Sequence, residues 1–380
     1  MSMPMSAAIA NIRPFSHLAK PSDAVRLFTP NWFAATMGTG ILAVALGQFP
    51  DIPVLFAAGM GLWLFNIALF TLFSALYATR WITHYSGAKR VLAHSSMSMS
   101  LGCIPMGLAT IVNGVVLFGI PAFGQALVPV AYGLWWLDAG LALACGIIVP
   151  FMMFTRQTHA PHQMTAIWLL PIVAAEVTAA SGALLVPYLA QADQLTVTLL
   201  SYCLWACSVP LALGLLVVLV VRMIVHNLPD ASMASSCWLA LGPIATGALG
   251  MLLLAEHVPA VLAANGIAHY ADAVAGASLF IGILLWGYGL WWLGMAGLIT
   301  IRYFRGEVPF NLGWWAFTFP LGVYAVTTLK LAHLIPFAPF MALGCTLVAA
   351  LAVVWLIVAT RTLAGAWHGN LFAAPCLAED

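Results

Sequence analysis

Apolar residues in this chain do not alternate in short pieces. They run in long blocks separated by brief polar stretches. A helix that crosses the hydrocarbon core of a bilayer needs about 20 mostly apolar residues. Ten blocks meet that length, over 30–48, 53–79, 97–120, 126–155, 165–190, 195–221, 236–262, 273–301, 311–335 and 338–361. The pattern predicts an all-α integral membrane protein with ten transmembrane helices. A transmembrane domain over 30–362 is then flanked by an N-terminal tail, 1–29, and a C-terminal tail, 363–380. A β-barrel would show alternating pieces of about ten residues instead. The third-to-fourth, fifth-to-sixth and ninth-to-tenth connections are very short, which forces antiparallel neighbours. The chain therefore reads as five helical hairpins.

Composition narrows the function. Hydrophobic residues make up 63% of the chain and charged residues 6%, against about 25% charged in a soluble protein. A soluble enzyme, a nucleic-acid binder and a disordered regulator are excluded. The few charges are sorted. Arg13, Lys20, Arg26, Arg80, Lys89, Arg90, Arg156, Arg222, Arg302, Arg305 and Arg361 all fall on one side of the predicted spans. Asp51, Asp193, Glu256 and Asp272 fall on the other. The positive-inside rule then places both termini in the cytoplasm, in a multi-pass protein of the inner (plasma) membrane. Met1–Thr29 lacks an early apolar core and a small-residue cleavage pattern, so no cleaved leader is expected. The seven cysteines are read as small packing residues. His159 and His162 flank Pro161 in a polar loop and are read as a turn, since a metal site needs more ligands. No phosphate loop is present, and no cofactor is expected.

The odd-numbered blocks repeat one another. Pro105, Pro171, Pro243 and Pro320 lie at matching depth, spaced 66, 72 and 77 residues apart. Gly38, Thr39 and Gly40 occupy the corresponding place in the first block. Even-numbered blocks are read as uninterrupted at their centres. A proline inside a helix removes a hydrogen bond and costs about 3 kcal/mol, and broken backbone in hydrocarbon is tolerated only where it lines a cavity. The repeat therefore predicts five interrupted helices around one axis, with these residues lining a central pore.

Four segments carry a family resemblance. They are Pro30-Asn31-Trp32-Phe33 with Met37-Gly38-Thr39-Gly40-Ile41-Leu42, Trp168 to Ala174, Leu241 to Ala245, and Trp314 to Gly322. In that order within ten spans, they resemble the tellurite-resistance/dicarboxylate transporter family, which includes fungal malic acid transporters, fungal sulfite efflux pumps and plant slow anion channels. The resemblance implies a ring of five hairpins, first helices lining the pore, and a homotrimer with one pore per protomer. It also implies a phenylalanine plug on the ninth helix, assigned to Phe319 with Phe317 second, and small-anion substrates. The leading expectation is C4-dicarboxylate movement such as malate, proton-coupled or electrochemically driven. A passive anion channel or a sulfite- or tellurite-linked exporter is the alternative, and a membrane-embedded enzyme is the rival of another class.

Three ionisable residues lie well inside the blocks, where charge is costly and functional by default. Lys330 either attracts an incoming anion or snorkels to the headgroups. Glu176 either carries a proton coupled to the anion or holds helices together, alone or paired with Lys330. Asp138, on an even block, is read as a structural hydrogen bond. Trp32, Trp81 and Trp238 lie near span ends, as in an interfacial belt. Gly282, Gly287, Gly289 and Gly294 would permit close helix contact.

Overall fold

The computed structural model describes residues 14–377; residues 1–13, Arg13 among them, and the last three residues lie outside that range. Among the described residues every regular element is helical. Ten principal helices follow one another: α1 (Ala34–Leu46), α2 (Pro53–Thr83), α3 (Cys103–Gly114), α4 (Val128–Thr155) and α5 (Leu170–Leu185), then α6 (Gln191–His226), α7 (Leu241–Ala264), α8 (Ala271–Tyr303), α9 (Phe319–Leu334) and α10 (Ala338–His368). Eight helical stretches are long and apolar enough to cross a membrane. The segments holding α1 and α9 fall short of that length as continuous helices. The expected boundary at 362 falls inside α10.

Packing sorts the helices into two layers. Within the stretches containing α3, α5 and α7, between 83% and 94% of the most apolar window is buried, against 17–33% for α2, α4, α6, α8 and α10. Ala35 through Leu46 of α1 and Phe319 through Leu329 of α9 are buried without interruption. The inner helices contact one another in a closed order, α1 to α3, α3 to α5, α5 to α7, α7 to α9 and α9 back to α1. Each even helix packs on the inner helix before it and the one after it. Small residues allow this crowding: α5 contains Ala174, Ala175, Thr178, Ala179, Ala180, Ser181, Gly182 and Ala183. The outer helices expose Phe65, Leu72, Ile147, Val217, Phe280 and Leu356, the surface that a lipid environment solvates.

One tryptophan per outer helix ties it to the next inner one. Trp63 Nε1 donates to the Ile111 carbonyl of α3 at 3.2 Å, and Trp135 Nε1 to the Thr178 carbonyl of α5 at 2.9 Å. Trp205 Nε1 donates to the Gly247 carbonyl of α7 at 2.9 Å, and Trp286 Nε1 to Thr328 Oγ1 of α9 at 3.0 Å. Trp355 Nε1 closes the circuit on Thr39 Oγ1 of α1 at 3.1 Å. Such a bond between membrane helices contributes about 0.6 kcal/mol, up to about 1.7. Trp135→Phe is therefore expected to lower the unfolding temperature in detergent by a few degrees. Trp136→Phe, at a ring 43% exposed on the outer face, should leave it unchanged.

Several expectations are corrected here. The prolines do not break helices. Pro171 and Pro320 occupy the first two positions of α5 and α9. Pro105 and Pro243 are the third residues of α3 and α7. In the first turn no intrahelical N–H bond is lost, so the penalty does not arise. What precedes each is a short lead-in of other geometry: 3-10 turns at Ser98–Gly102, Ala166–Leu169 and Leu312–Phe317, and a single α turn at Ser236–Leu239. The first repeat has the 3-10 turn Pro30–Phe33. Gly38 and Gly40 do not interrupt α1 at all. Conversely, Pro210 lies inside the outer helix α6, so a mid-block proline is not the mark of an inner helix. Trp32 is buried and stacks on Phe28 rather than sitting at a headgroup belt. Of the α8 glycines, Gly282 and Gly289 abut Leu252 and Tyr324 while Gly287 and Gly294 face open space.

Candidate functional site

The lead-ins and first turns of all five inner helices meet at one end of the ring. They surround a cavity of about 90 Å³, the mouth of the ring. Met37 of α1, Cys103 of α3, Leu170 of α5, Leu239 before α7 and Phe319 of α9 each contribute a wall. Ser100, Ser235, Ser236 and Asn311 add hydroxyl and amide groups, and no charged side chain lines the space. The first N–H groups of an α-helix have no intrahelical acceptor and carry its positive dipole end. Five such ends converge here; carbonyls of the lead-ins, among them Asn31, Ser100, Ile167 and Trp238, accept from some of their first N–H groups, but the lead-ins are only four to six residues long. The cancellation expected from two opposed half-helices is therefore weak. A site that favours negative charge through backbone dipoles, without a fixed cation, can bind an anion and still release it.

Phe317, which ends the α9 lead-in, and Phe319, which begins α9, point apart. Phe319 is 4% exposed and lines the cavity. Phe317 packs outward on Trp238 and Trp314, with ring centroids 6.0 and 5.7 Å away. Gly38 of α1 seats the segment that carries Phe319, since a Cβ there would lie 2.2 Å from Thr318 Oγ1 and 2.5 Å from the Trp315 ring. A Cβ at Gly40 would lie 1.9 Å from Thr110 Oγ1 of α3. These glycines are points of helix-to-helix approach. Thr39 is turned to α10 through its bond with Trp355, away from the cavity wall. Pro105, Pro171, Pro243 and Pro320 stand at the cavity's helix starts without being among the residues that face it.

The buried ionisable groups are not gathered into one site. Glu176 is fully buried beside Ser208 of α6, and neither carboxyl oxygen has a hydrogen-bond partner that meets normal geometry. It lines none of the cavities described here. Lys330 does not pair with it. The Lys330 ammonium bonds instead to Glu256 of α7, whose same oxygen lies 3.5 Å from His257 Nε2. This ion pair joins α9 to α7 far from the mouth and leaves little free positive charge. Asp138 of α4 accepts a hydrogen bond from Thr178 of α5 at 2.7 Å, the structural role expected for it.

A second and larger cavity, about 430 Å³, adjoins the mouth and shares Ile167 and Met233 with it. Its other walls include Ser95, Ser96, His159, His162, Arg222 and Asp230. Burial pulls the His159 imidazole below its ordinary pKa. The Ser232 backbone N–H holds the Asp230 carboxyl below the usual carboxylate range. Sequence reading had placed Arg222 only as a topology marker and the two histidines only in a turn. Their meeting depends on a loop and a helix end 60 residues apart, which no local motif announces.

Residues 27–363 match the voltage-dependent anion channel family. A sulfite efflux pump of Trichophyton rubrum is 36% identical over 97% of this chain and 100% of its own length. An uncharacterized transporter of Methanocaldococcus jannaschii is 29% identical over 92% of this chain and 96% of its own. A malic acid transport protein of Schizosaccharomyces pombe is 23% identical over 88% of this chain and 78% of its own.

Proposed function

Given that the chain belongs to the voltage-dependent anion channel family, we propose that it carries sulfite or a similarly compact anion across a membrane along the axis of its inner ring. The observation that carries this reading is the convergence of five inner-helix starts on one uncharged cavity. Two considerations favour sulfite over the C4-dicarboxylate expected first. The sulfite efflux relative is 36% identical and the malic acid relative 23%. The mouth cavity, about 90 Å³, carries no charged side chain to pair with the two carboxylates of a four-carbon dicarboxylate. Malate remains the second reading, supported by that more distant relative.

In this proposal all ten helices cross the bilayer, α1 and α9 together with their lead-ins. The sorted basic residues support a cytoplasmic side for both termini and for the mouth, in a plasma or inner membrane. Phe319 is the gate, and a homotrimer with one conduit per protomer is the assembly carried over from the family resemblance. A transport family offers no reason to assign catalysis.

The deciding measurement is flux of labelled sulfite and malate into proteoliposomes, with and without a pH gradient. Sulfite flux above that of empty vesicles and above malate is expected. Malate flux exceeding sulfite would reverse the order, and no flux of either would reject the proposal. Glu176 bears on coupling. Because it faces α6 rather than the cavity, Glu176→Gln is expected to keep the flux and its response to a pH gradient within about twofold of the parent. Loss of that response would return Glu176 to the proton-carrying role.

A further inference from the structure

The mouth cavity holds no charge, but the cavity beside it does, and the arrangement there is incomplete. Arg222 closes the C-terminal part of α6 and is 7% exposed. Its guanidinium donates to the Asn227 carbonyl at 2.7 Å and to the His162 carbonyl. Five N–H donors are available on this group, so three remain, and Nε has no partner. Arg222 makes no ion pair among the described residues. A buried charge without a counter-charge is strongly destabilising. The planar fork of a guanidinium matches two oxygens of one oxyanion.

The remaining walls fit the same ligand. Ser95, Ser96, Gln163 and Thr165 offer hydroxyl and amide donors, and His159 and His162 offer imidazoles. Asp230 is the only acidic side chain on the wall. Its Oδ1 is occupied by the Ser232 N–H at 2.8 Å, and the residue faces solvent, where its repulsion is screened. The chamber has nearly five times the volume of the mouth it adjoins, about 430 against about 90 Å³.

We propose that this chamber binds a divalent oxyanion on Arg222 and stages it, still partly hydrated, before it enters the mouth. The assignment deepens the transport reading and rests on it for the chamber's place in the path. The anion supplies the counter-charge that Arg222 lacks, and the serine and threonine hydroxyls replace part of its water. A monovalent halide satisfies one donor of the fork and is held less well.

The test is isothermal titration of the purified full chain with sulfite at alkaline pH, where it is a dianion, with chloride as the comparison. Saturable sulfite binding, stronger than chloride binding, is expected. Arg222→Gln should weaken it by about tenfold or more, the loss expected for a charge-assisted hydrogen bond. That variant also releases the His162 and Asn227 carbonyls, so Ser96→Asp provides an independent probe. Ser96 is exposed on the chamber wall, and a carboxylate there should weaken sulfite several-fold without touching Arg222. Asp230→Asn, which keeps a side chain able to cap the following turn, should bind sulfite at least as tightly as the parent. Absence of saturable binding, or equal affinity in the parent and in Ser96→Asp, overturns the assignment. Flux measured in parallel separates the two readings. Arg222-dependent binding without sulfite transport leaves the chamber and removes the transport proposal. Transport without Arg222-dependent binding does the reverse.

Discussion

Replacing Phe319 by alanine is expected to raise anion flux through the protein at least about tenfold. The side chain is 4% exposed, sits at the first residue of α9 and walls the mouth cavity. A hydrophobic constriction gates by excluding water, and lowering the passage barrier by only about 1.4 kcal/mol is worth a factor of ten. Flux per folded protein in proteoliposomes is the measurement, with folding checked by size exclusion. Because the ring borders an existing cavity, its truncation should cost less stability than the 3–5 kcal/mol typical of a fully packed phenylalanine. Phe319→Trp should lower the flux instead. If alanine and tryptophan leave flux equal to the parent, the gate lies elsewhere on the axis.

The second large effect concerns folding. A Cβ at Gly102 would sit 2.2 Å from the Leu170 carbonyl oxygen and 2.6 Å from its carbon. Both are backbone atoms of the neighbouring inner helix and cannot rotate away. Gly102→Ala must push α3 and α5 apart, an overpacking cost of about 3 kcal/mol or more. Against a total stability of about 5–15 kcal/mol, the variant is expected to give little or no monodisperse protein. Gly242→Ala is the control from the same end of the ring, since the nearest atom to its Cβ is 3.9 Å away. It should express and melt like the parent. Equal behaviour of the two variants would mean that the inner helices at the mouth are not held at this spacing.

Much of the architecture is written in the hydrophobic pattern. Ten apolar blocks foretell where the ten principal helices lie, and four prolines in register, with the glycine pair of the first block, point to the five that form the inner layer. The pattern cannot tell a helix broken by proline from one that begins at it. Lead-in and helix are equally apolar, so Pro171 looks internal to the 165–190 block although it stands at the start of α5. Side-chain direction is also hidden where every face is apolar. Thr39 could have faced the axis, and its place against Trp355 depends on a residue 316 positions away. The partner of Lys330 lies 74 positions off in a different hairpin, on a residue that reads as a loop charge. The outer tryptophans did leave a trace, since Trp63, Trp135, Trp205, Trp286 and Trp355 recur every 69 to 81 residues. Fifteen tryptophans in an apolar chain mask that trace until the helices are placed.

The Trp355-to-Thr39 bond gives the ring a seam where the last hairpin meets the first. A nascent chain emerges from its first residue onward, so α1 is made long before α9 and α10 exist to cover its flank. If the axis of the ring is the path of the anion, the walled route comes into being only with the final hairpin.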